Sequence, residues 1–286
     1  MRILVTGGSG FIGSCLVDRL RNDGNEIFVA DLNGSGENII NIDLTNIEAL
    51  SNLPKVDEVW HLAANPEVRE GNSDIHNKQN YVATRNILEW AKKNGVKKIY
   101  FTSTSTVYGE AEKIPTPEIA DLRPISSYGE SKVKAEQAII DSGIDYVIFR
   151  FANVVGRQSG HGVIFDFVNK LRVDGTKLKI LGNGKQIKSY VDIDDCLDAM
   201  VFCRKFSKEI LNIGTDDWID VDTIAGVVSN KMGISPEYSY TGGNRGWKGD
   251  VPKMLLSIEK IKALGWKPKL TSKQAIERTV EGILQK

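Results

Sequence analysis

Apolar and polar residues follow two distinct patterns along the first half of the chain. Short apolar runs, typical of buried strands, occupy residues 2–5, 26–30, 56–62, 97–102 and 145–149. Between these runs, apolar residues recur every three or four positions, which predicts helices over 11–20, 81–93 and 128–141. Strands that alternate with helices form right-handed βαβ units, so we predict an α/β fold with a doubly wound parallel sheet.

The pattern changes after about Gly156, where helices are separated by short strands and by glycine-rich turns at 181–184 and 241–244. These features indicate a smaller C-terminal α/β domain. A helix near 192–204 and a strand near 210–213 could rejoin the first sheet. We therefore predict a first domain of residues 1–156 with a return segment 188–216, and a second domain of residues 157–187 and 217–286.

Composition excludes several classes of protein. The 286 residues include 37 basic and 37 acidic side chains, so the chain lacks the basic excess of a general nucleic-acid binder. The chain has an odd number of cysteines, Cys15, Cys196 and Cys203, so we expect no disulfide framework. Neither these cysteines nor the three histidines have the spacing of metal ligands, so we expect no metal site. No apolar run approaches the ~20 residues of a membrane helix, and the chain begins with a strand instead of a signal peptide. We expect a cytoplasmic protein with no nucleic-acid or membrane partner.

A glycine-rich segment, Thr6 to Gly13, joins the first predicted strand to the first helix. Glycine allows the backbone to turn tightly and to approach a pyrophosphate, and the following helix offers unpaired N–H groups to the phosphates. Gly7, Gly10 and Gly13 are the candidate phosphate contacts, together with Phe11 and Ile12 at the start of the helix. The position between a strand and a helix predicts a dinucleotide site.

Asp31 ends the second predicted strand. A carboxylate at this position accepts hydrogen bonds from an adenosine ribose and repels a 2′-phosphate, and no Arg or Lys follows in residues 32–36. NAD is therefore favoured over NADP. Asn33, Ser35 and Gly36 in this segment are further cofactor-binding candidates.

A tyrosine and a lysine share one face of the helix predicted at 128–141. Ser127 and Glu130 have capping-box spacing, which places Tyr128 in the first turn and Lys132 one turn later. A nearby ammonium, the helix N-terminus and a cationic nicotinamide would each lower the pKa of the Tyr128 phenol. Tyr128 is therefore the candidate general base.

Hydroxyl residues follow the predicted strand at 97–102. Such residues at the carboxyl end of a parallel strand face the ligand crevice, so a hydroxyl within 103–106 could bind a sugar oxygen and share a proton with Tyr128.

Together these motifs resemble the extended short-chain dehydrogenase/reductase superfamily, and within it the NAD-dependent nucleotide-sugar epimerases. The similarity spans essentially the whole chain and includes 6–13, Asp31, 43–44, 61–64, Asn80, 103–109, Tyr128, Lys132, 150–156, 182–186, 212–214 and 264–266. Residues 246–251 look most like the archaeal-type UDP-glucose (UDP-galactose) 4-epimerases. The resemblance implies a Rossmann-type sheet, tightly held NAD, a UDP-hexose substrate and a homodimer formed by helices 81–93 and 128–141.

The resemblance also implies roles for individual residues. Tyr128 is the acid/base, Lys132 orients the nicotinamide ribose, and Thr104 is the third catalytic hydroxyl. Asp43 and Leu44 hold the adenine, Ala63 and Ala64 lie on the pyrophosphate side, and Asn80 lies in the cofactor region. Leu62 and Thr102 are further cofactor-binding candidates, and Asn153 contacts the substrate diphosphate or hexose.

Two basic residues depart from the family pattern. Lys188 stands where relatives often have an arginine that binds the diphosphate, and lysine lacks the bidentate fork of arginine. Arg245 lies farther from the Gly249–Asp250 pair than the late-chain arginine of relatives. Both are candidate substrate-binding residues.

The implied reaction is 4-epimerisation of a UDP-hexose through a transient 4-keto sugar. The alternatives are a 4,6-dehydratase, a 4-ketoreductase and a catalytically silent NAD-binding protein. Dehydratases of this family carry Asp-Glu after the catalytic threonine, whereas Ser105 and Thr106 follow Thr104 here. A ketoreductase needs dissociable NADPH, which Asp31 disfavours.

Overall fold

The computed structural model describes residues 1–68 and 72–285, and its backbone divides into two compact units. Unit 1 comprises Met1–Gly109, Leu122–Arg150 and Met200–Leu211; unit 2 comprises Glu110–Asp121, Phe151–Ala199 and Asn212–Lys286. Residues 110–121 and 151–156, which we expected in the first domain, group with unit 2. The return segment in unit 1 is also shorter than the predicted 188–216. Which unit binds which ligand stays a prediction.

The strands of the structure, in chain order, are β1 Arg2–Thr6, β2 Glu26–Asp31, β3 Ile39–Asn41, β4 Glu58–His61, β5 Lys98–Thr104, β6 Asp145–Phe151, β7 Asn153–Val155, β8 Lys177–Ile180, β9 Ile187–Lys188, β10 Tyr190–Asp192, β11 Glu209–Ile213, β12 Ile219–Asp220, β13 Glu237–Tyr240 and β14 Lys253–Met254. The α-helices are α1 Phe11–Asn22, α2 Ser73–His76, α3 Ala83–Lys93, α4 Ser127–Asp141, α5 Val163–Val173, α6 Ile193–Phe202, α7 Val221–Met232, α8 Glu259–Ala263 and α9 Ser272–Leu284. A π-helical segment, Asn77–Val82, joins α2 to α3.

Seven strands form the main sheet, in the order β11-β6-β5-β4-β1-β2-β3. The ladders from β5 to β3 are parallel, with Val5 opposite both Val29 and Trp60. The order β3-β2-β1-β4-β5-β6 is that of a Rossmann-type doubly wound fold, so the predicted fold class is confirmed. The strand expected near 210–213 does return to this sheet, as β11.

The strands at the centre of this sheet are apolar because both of their faces are covered. Every residue of β4 is buried, and the Trp60 ring stacks on Tyr100 with ring centroids 4.0 Å apart. Phe149 extends the stack from β6, with its centroid 6.3 Å from that of Trp60. Trp60 is therefore a packing residue that fixes the spacing of three neighbouring strands.

Unit 2 contains three small sheets, in which β7 pairs with β10, β8 pairs with β13, and β9 lies between β12 and β14. Apolar faces of α5, α7 and α9 meet over a core that includes Phe167, Val228 and Ile276. A capping box at Thr271 and Gln274 begins α9. Within residues 1–68 and 72–285, no helix combines the length and the apolar character needed to cross a bilayer.

Candidate active site

The glycine loop between β1 and α1 leaves no room for side chains at two positions. A Cβ added to Gly7, which has φ +70°, would lie 2.6 Å from the Ala63 nitrogen, and one added to Gly13 would lie 2.1 Å from the Gly7 oxygen. At Gly10 the nearest atom would be 3.3 Å away. Gly7 and Gly13 therefore hold the loop tightly folded, whereas Gly10, the N-cap of α1, is the residue that a ligand can approach.

Asp31, at the end of β2, ties this loop to the sheet. Its Oδ2 accepts a hydrogen bond from the Ser9 N–H at 2.9 Å, and its Oδ1 accepts one from the Leu32 N–H at 2.8 Å. Gly34 packs against the same loop, because a Cβ there would lie 2.7 Å from the Ser9 hydroxyl oxygen. This close approach was not predicted, although a second glycine in residues 32–36 was a signal for it.

A chain of hydrogen bonds runs through the buried imidazole of His61. The Ala63 N–H donates to the Thr6 hydroxyl at 3.3 Å, and the Thr6 hydroxyl lies 2.6 Å from His61 Nδ1. His61 Nε2 lies 2.9 Å from the Thr84 hydroxyl, which donates to the Asn80 carbonyl at 2.5 Å. Because the Thr84 proton is used on that carbonyl, Nε2 carries the hydrogen and Nδ1 accepts from Thr6. His61 is thus a neutral imidazole, and burial lowers its pKa to about 3.

Asn80, on the π-helical segment, joins the loop after β4 to the helix that carries Tyr128. Its Oδ1 accepts from the Asn65 N–H at 2.7 Å, and its Nδ2 donates to the Ser131 hydroxyl at 2.9 Å. Ser131 in turn donates to the Tyr128 carbonyl at 2.7 Å. The structure therefore gives Asn80 a structural role in linking this loop to α4, and its contact with the cofactor stays a prediction.

The helix α4 begins one residue earlier than the capping-box spacing predicts. Ser126 is the N-cap and accepts from the Gly129 N–H, so the prediction of Ser127 as the cap is wrong. Ser127 is occupied elsewhere, because its hydroxyl lies 2.8 Å from Nδ1 of the buried His76. Tyr128 still lies in the first turn, with its ring centroid 6.0 Å from that of His76 in an edge-on arrangement. No sequence pattern pointed to His76.

The side chains of Tyr128 and Lys132 lie in a desolvated region. Burial raises the pKa of Tyr128 to about 12, opposite to the direction expected from the lysine and the helix N-terminus. The cause of this rise is desolvation of the phenol itself. Burial also lowers the pKa of Lys132 to about 7, and its Nζ lies 6.0 Å from the Tyr128 ring centroid. The lysine therefore does little for the phenolate, and a cation placed beside Tyr128 would have the larger effect.

Lys132 is held by groups of β5. Its Nζ donates to the Thr102 carbonyl at 2.8 Å and lies 4.4 Å from the centre of the Phe101 ring. A carbonyl oxygen and an aromatic face both favour an ammonium. Within its own helix, the charge of Glu136 opposes the loss of the Lys132 proton.

Thr104 lies at the junction of β5 and a turn of 3-10 helix, Ser105–Tyr108. It caps this turn, because its hydroxyl accepts from the Thr106 N–H at 3.2 Å. The turn packs on the start of α4, where a Cβ added to Gly129 would lie 2.8 Å from the Thr106 oxygen. Unit 1 therefore places the three candidate catalytic residues on two adjoining elements.

The remaining cofactor candidates differ in how they are held. Asp43 Oδ1 accepts from the Thr45 N–H at 2.8 Å, and Leu44 is buried in the core of unit 1. Asn33, Ser35 and Gly36 are exposed on the loop between β2 and β3. Phe11 and Ile12 form the first turn of α1, and the N–H of Leu62 donates to the Thr6 carbonyl at 3.0 Å.

In unit 2, the two basic candidates are engaged by acidic groups. Lys188 Nζ lies 2.5 Å from Oδ1 of the buried Asp250 and 5.1 Å from the centre of the Trp247 ring. Arg245 donates to the Asp250 carbonyl and forms an ion pair with Glu110. Asp250 was not predicted as a partner of Lys188, because the two residues are 62 positions apart in the chain.

Asn153, on β7, donates from its Nδ2 to the Ser189 carbonyl at 3.1 Å. It shares the β7–β10 sheet with Tyr190, which lies opposite it in the parallel register. This hydrogen bond orients the amide and leaves its oxygen available to a ligand.

The residues of unit 1 fit a dinucleotide. A glycine at the N-cap of α1 offers no side-chain cap, so the first backbone N–H groups of a 12-residue helix point to a phosphate position. The carboxylate of Asp31 retains lone pairs for a ribose hydroxyl after its two backbone bonds. Lys132 is a buried cation that makes one carbonyl hydrogen bond and can make more.

Comparisons with known proteins agree with this arrangement. The model of the NAD dependent epimerase/dehydratase family matches residues 3–214. A Methanocaldococcus jannaschii protein, provisionally named UDP-glucose 4-epimerase, is 33% identical, and the alignment covers 97% of each chain. A crystal structure of a UDP-galactose 4-epimerase is 38% identical with a TM-score of 0.91, covering 100% of this chain and 99% of the other. The Thermotoga maritima UDP-glucose 4-epimerase, solved with UDP-glucose, is 33% identical with a TM-score of 0.90 and the same coverage.

The fold and the site define an NAD-binding α/β enzyme of the Rossmann type. The chain belongs to the NAD dependent epimerase/dehydratase family.

Proposed function

We propose that the protein is an NAD-dependent 4-epimerase of UDP-hexoses that interconverts UDP-glucose and UDP-galactose. The observation that carries this proposal is the grouping of Tyr128, Lys132 and Thr104 at the carboxyl end of β5, beside a glycine loop that fits a dinucleotide. The relatives with this fold that are 33–38% identical bear the name of this activity. These relatives align along nearly the whole chain, so the proposal includes unit 2.

Tyr128 moves the proton of the reaction. Bound NAD supplies a hydride acceptor and donor for C4 of the hexose. Tyr128 takes the proton of the C4 hydroxyl as the 4-keto sugar forms, and it returns the proton after the sugar has turned over. Because burial holds the pKa of the free phenol at about 12, the positive charge of the oxidised cofactor is needed to make the phenolate accessible near neutral pH.

Lys132 and Thr104 position the cofactor and the sugar for this proton transfer. The ammonium of Lys132, already oriented by the Thr102 carbonyl, binds the nicotinamide ribose. Thr104 is held by its own capping bond, so its hydroxyl is preorganised to bind the C4 oxygen of the sugar.

Residues of unit 2 hold the UDP portion of the substrate. Lys188 and Arg245 supply positive charge for the diphosphate, and Asn153 contacts the diphosphate or the hexose. Asp250 and Glu110 form ion pairs with these two cations, so a bound diphosphate must compete with a carboxylate for each of them.

Product analysis tests the proposal. Purified protein supplied with NAD and UDP-galactose should form UDP-glucose with no net change in NADH absorbance. Tyr128→Phe should retain NAD and lose at least about 10²-fold in turnover, as expected for loss of a general base. Tyr146→Phe, at the start of β6 and the opposite end of the sheet, is the matched control and should keep normal turnover. Formation of a 4-keto-6-deoxy sugar, or wild-type turnover by Tyr128→Phe, would refute it.

We further propose that the protein is a cytoplasmic homodimer formed through α3 and α4. Ile140 on α4 is 37% exposed although it is apolar, and Arg85 and Glu89 lie on the open face of α3. Sedimentation should give twice the chain mass, and Ile140→Glu should shift it to the monomer. Val173→Glu, at a residue 90% exposed in unit 2, is the control and should leave the dimer unchanged.

A further inference from the structure

A buried ion pair in unit 1 contacts the elements that carry the candidate catalytic residues. Arg150 on β6 binds Glu136 on α4 through two nitrogens, with Nη2 2.6 Å from Oε2 and Nε 3.1 Å from Oε1. Their side chains are 4% and 2% exposed. The cost of removing two charges from water cancels most of the attraction in such a pair, so stability alone does not account for it.

The partners of this pair bracket the turn that carries Thr104. Glu136 Oε1 also accepts a short hydrogen bond from the Ser103 hydroxyl, at the residue before Thr104. Arg150 Nη1 donates to the Tyr108 hydroxyl at 2.9 Å, at the last residue of the turn. The turn is therefore fixed at both ends by one Glu–Arg unit.

The same carboxylate acts on the lysine. Tyr128, Lys132 and Glu136 are spaced four residues apart, so they follow one face of α4. The titratable groups that face Lys132 are Tyr128 and Glu136 from its own helix and His61 from β4, and β5 contributes only Phe101 and the Thr102 carbonyl. His61 is neutral, so Glu136 is the negative charge among them.

We propose that the Glu136–Arg150 pair is a positioning element. It fixes the Thr104 turn through Ser103 and Tyr108, and its Glu136 carboxylate, one turn from Lys132 on the same face of α4, opposes loss of the Lys132 proton. The inference rests on the proposed function, because its kinetic consequence is measured on epimerisation. Both side chains are buried, so neither of them is assigned a contact with the substrate or the reacting atoms. A positioning role predicts loss of kcat with little change in KM or in retained NAD.

The first test removes one hydroxyl. Tyr108→Phe breaks the bond to Arg150 without changing any charge, and we expect kcat to fall about tenfold because small displacements of a catalytic group are costly. Tyr100→Phe is the matched control, since its hydroxyl lies 3.4 Å from Glu58 of a second Glu–Arg pair at the opposite end of the sheet. A kcat for Tyr108→Phe equal to that of Tyr100→Phe overturns the positioning of the turn.

The second test removes one charge and needs no turnover. Glu136→Gln should lower the pH at which Lys132 loses its proton, followed by NMR of carbon-labelled lysine with Lys132→Met to assign the signal. The alkaline limb of the kcat profile should move to lower pH in the same direction. An unmoved Lys132 titration overturns the electrostatic role. If Glu136→Gln does not fold, Ser103→Ala keeps the ion pair and should still lower kcat; normal kcat would refute the inference. Lack of turnover in the wild type would count against the proposed function alone.

Discussion

The neutral imidazole of His61 should make the protein lose stability in mild acid. The folded state holds the His61 pKa at about 3, whereas the ordinary value that applies to the unfolded chain is 6.5. Below pH 6.5, His61 binds a proton in the unfolded chain but not in the folded protein. The stabilisation is therefore complete above pH 6.5 and is lost as the pH falls toward 3. Between pH 8 and pH 5, only the 1.5 pH units below the ordinary pKa of 6.5 contribute. The free energy of unfolding therefore falls by about 2 kcal/mol over this range.

Urea denaturation at a series of pH values measures this loss. The free energy of unfolding of the wild type should fall by about 2 kcal/mol between pH 8 and pH 5. His61→Gln should be less stable at pH 8, because it disturbs Thr6 and Thr84, but its stability should change little between the two pH values. His161→Gln, at an exposed residue, should reproduce the wild-type slope. An equal slope for His61→Gln would refute the reasoning.

Three further predictions concern unit 1. Gly13→Ala should lower the free energy of unfolding by about 3 kcal/mol, because its Cβ would lie 2.1 Å from the Gly7 oxygen. Gly10→Ala should cost less than about 1 kcal/mol, because its Cβ would lie 3.3 Å from the same oxygen, and equal costs in urea denaturation would contradict this. Trp60→Ala should cost about 4 kcal/mol in the same assay, since the ring is fully buried in an aromatic stack, and a cost below about 1 kcal/mol would exclude that packing role. Asp31→Ala should weaken NAD binding about tenfold by calorimetry through loss of charged hydrogen bonds, and unchanged affinity would remove Asp31 from the site.

The features that the sequence predicted depend on local patterns. Apolar runs and helical periodicity suffice to place the strands and α-helices of unit 1 other than β3 and α2, which were not predicted. The glycine loop is recognisable from its position between β1 and α1. The choice between Ser126 and Ser127 as the cap of α4 was wrong because both residues can cap a helix. The contact of Ser127 with His76, 51 residues away, decides between them.

Long-range contacts and burial account for the rest. The rise in the Tyr128 pKa comes from desolvation by residues that are distant in sequence, and no spacing rule contains that information. The partnership of Lys188 with Asp250 likewise arises only when β9 and the loop before β14 come together. Such pairings become visible only in three dimensions.

The passage of the chain between the two units bears on how the protein can be synthesised and cut. The chain crosses from one unit to the other five times, after residues 109, 121, 150, 199 and 211. A ribosome must therefore deliver 213 of the 286 residues, about three quarters, before the outer strand β11 is complete. The Arg204 partner of Glu58 is made only shortly before this strand. A gene fragment that stops at residue 150 would leave β6 as an exposed edge strand that can self-associate. Both halves of the chain must therefore be expressed together to give a soluble product.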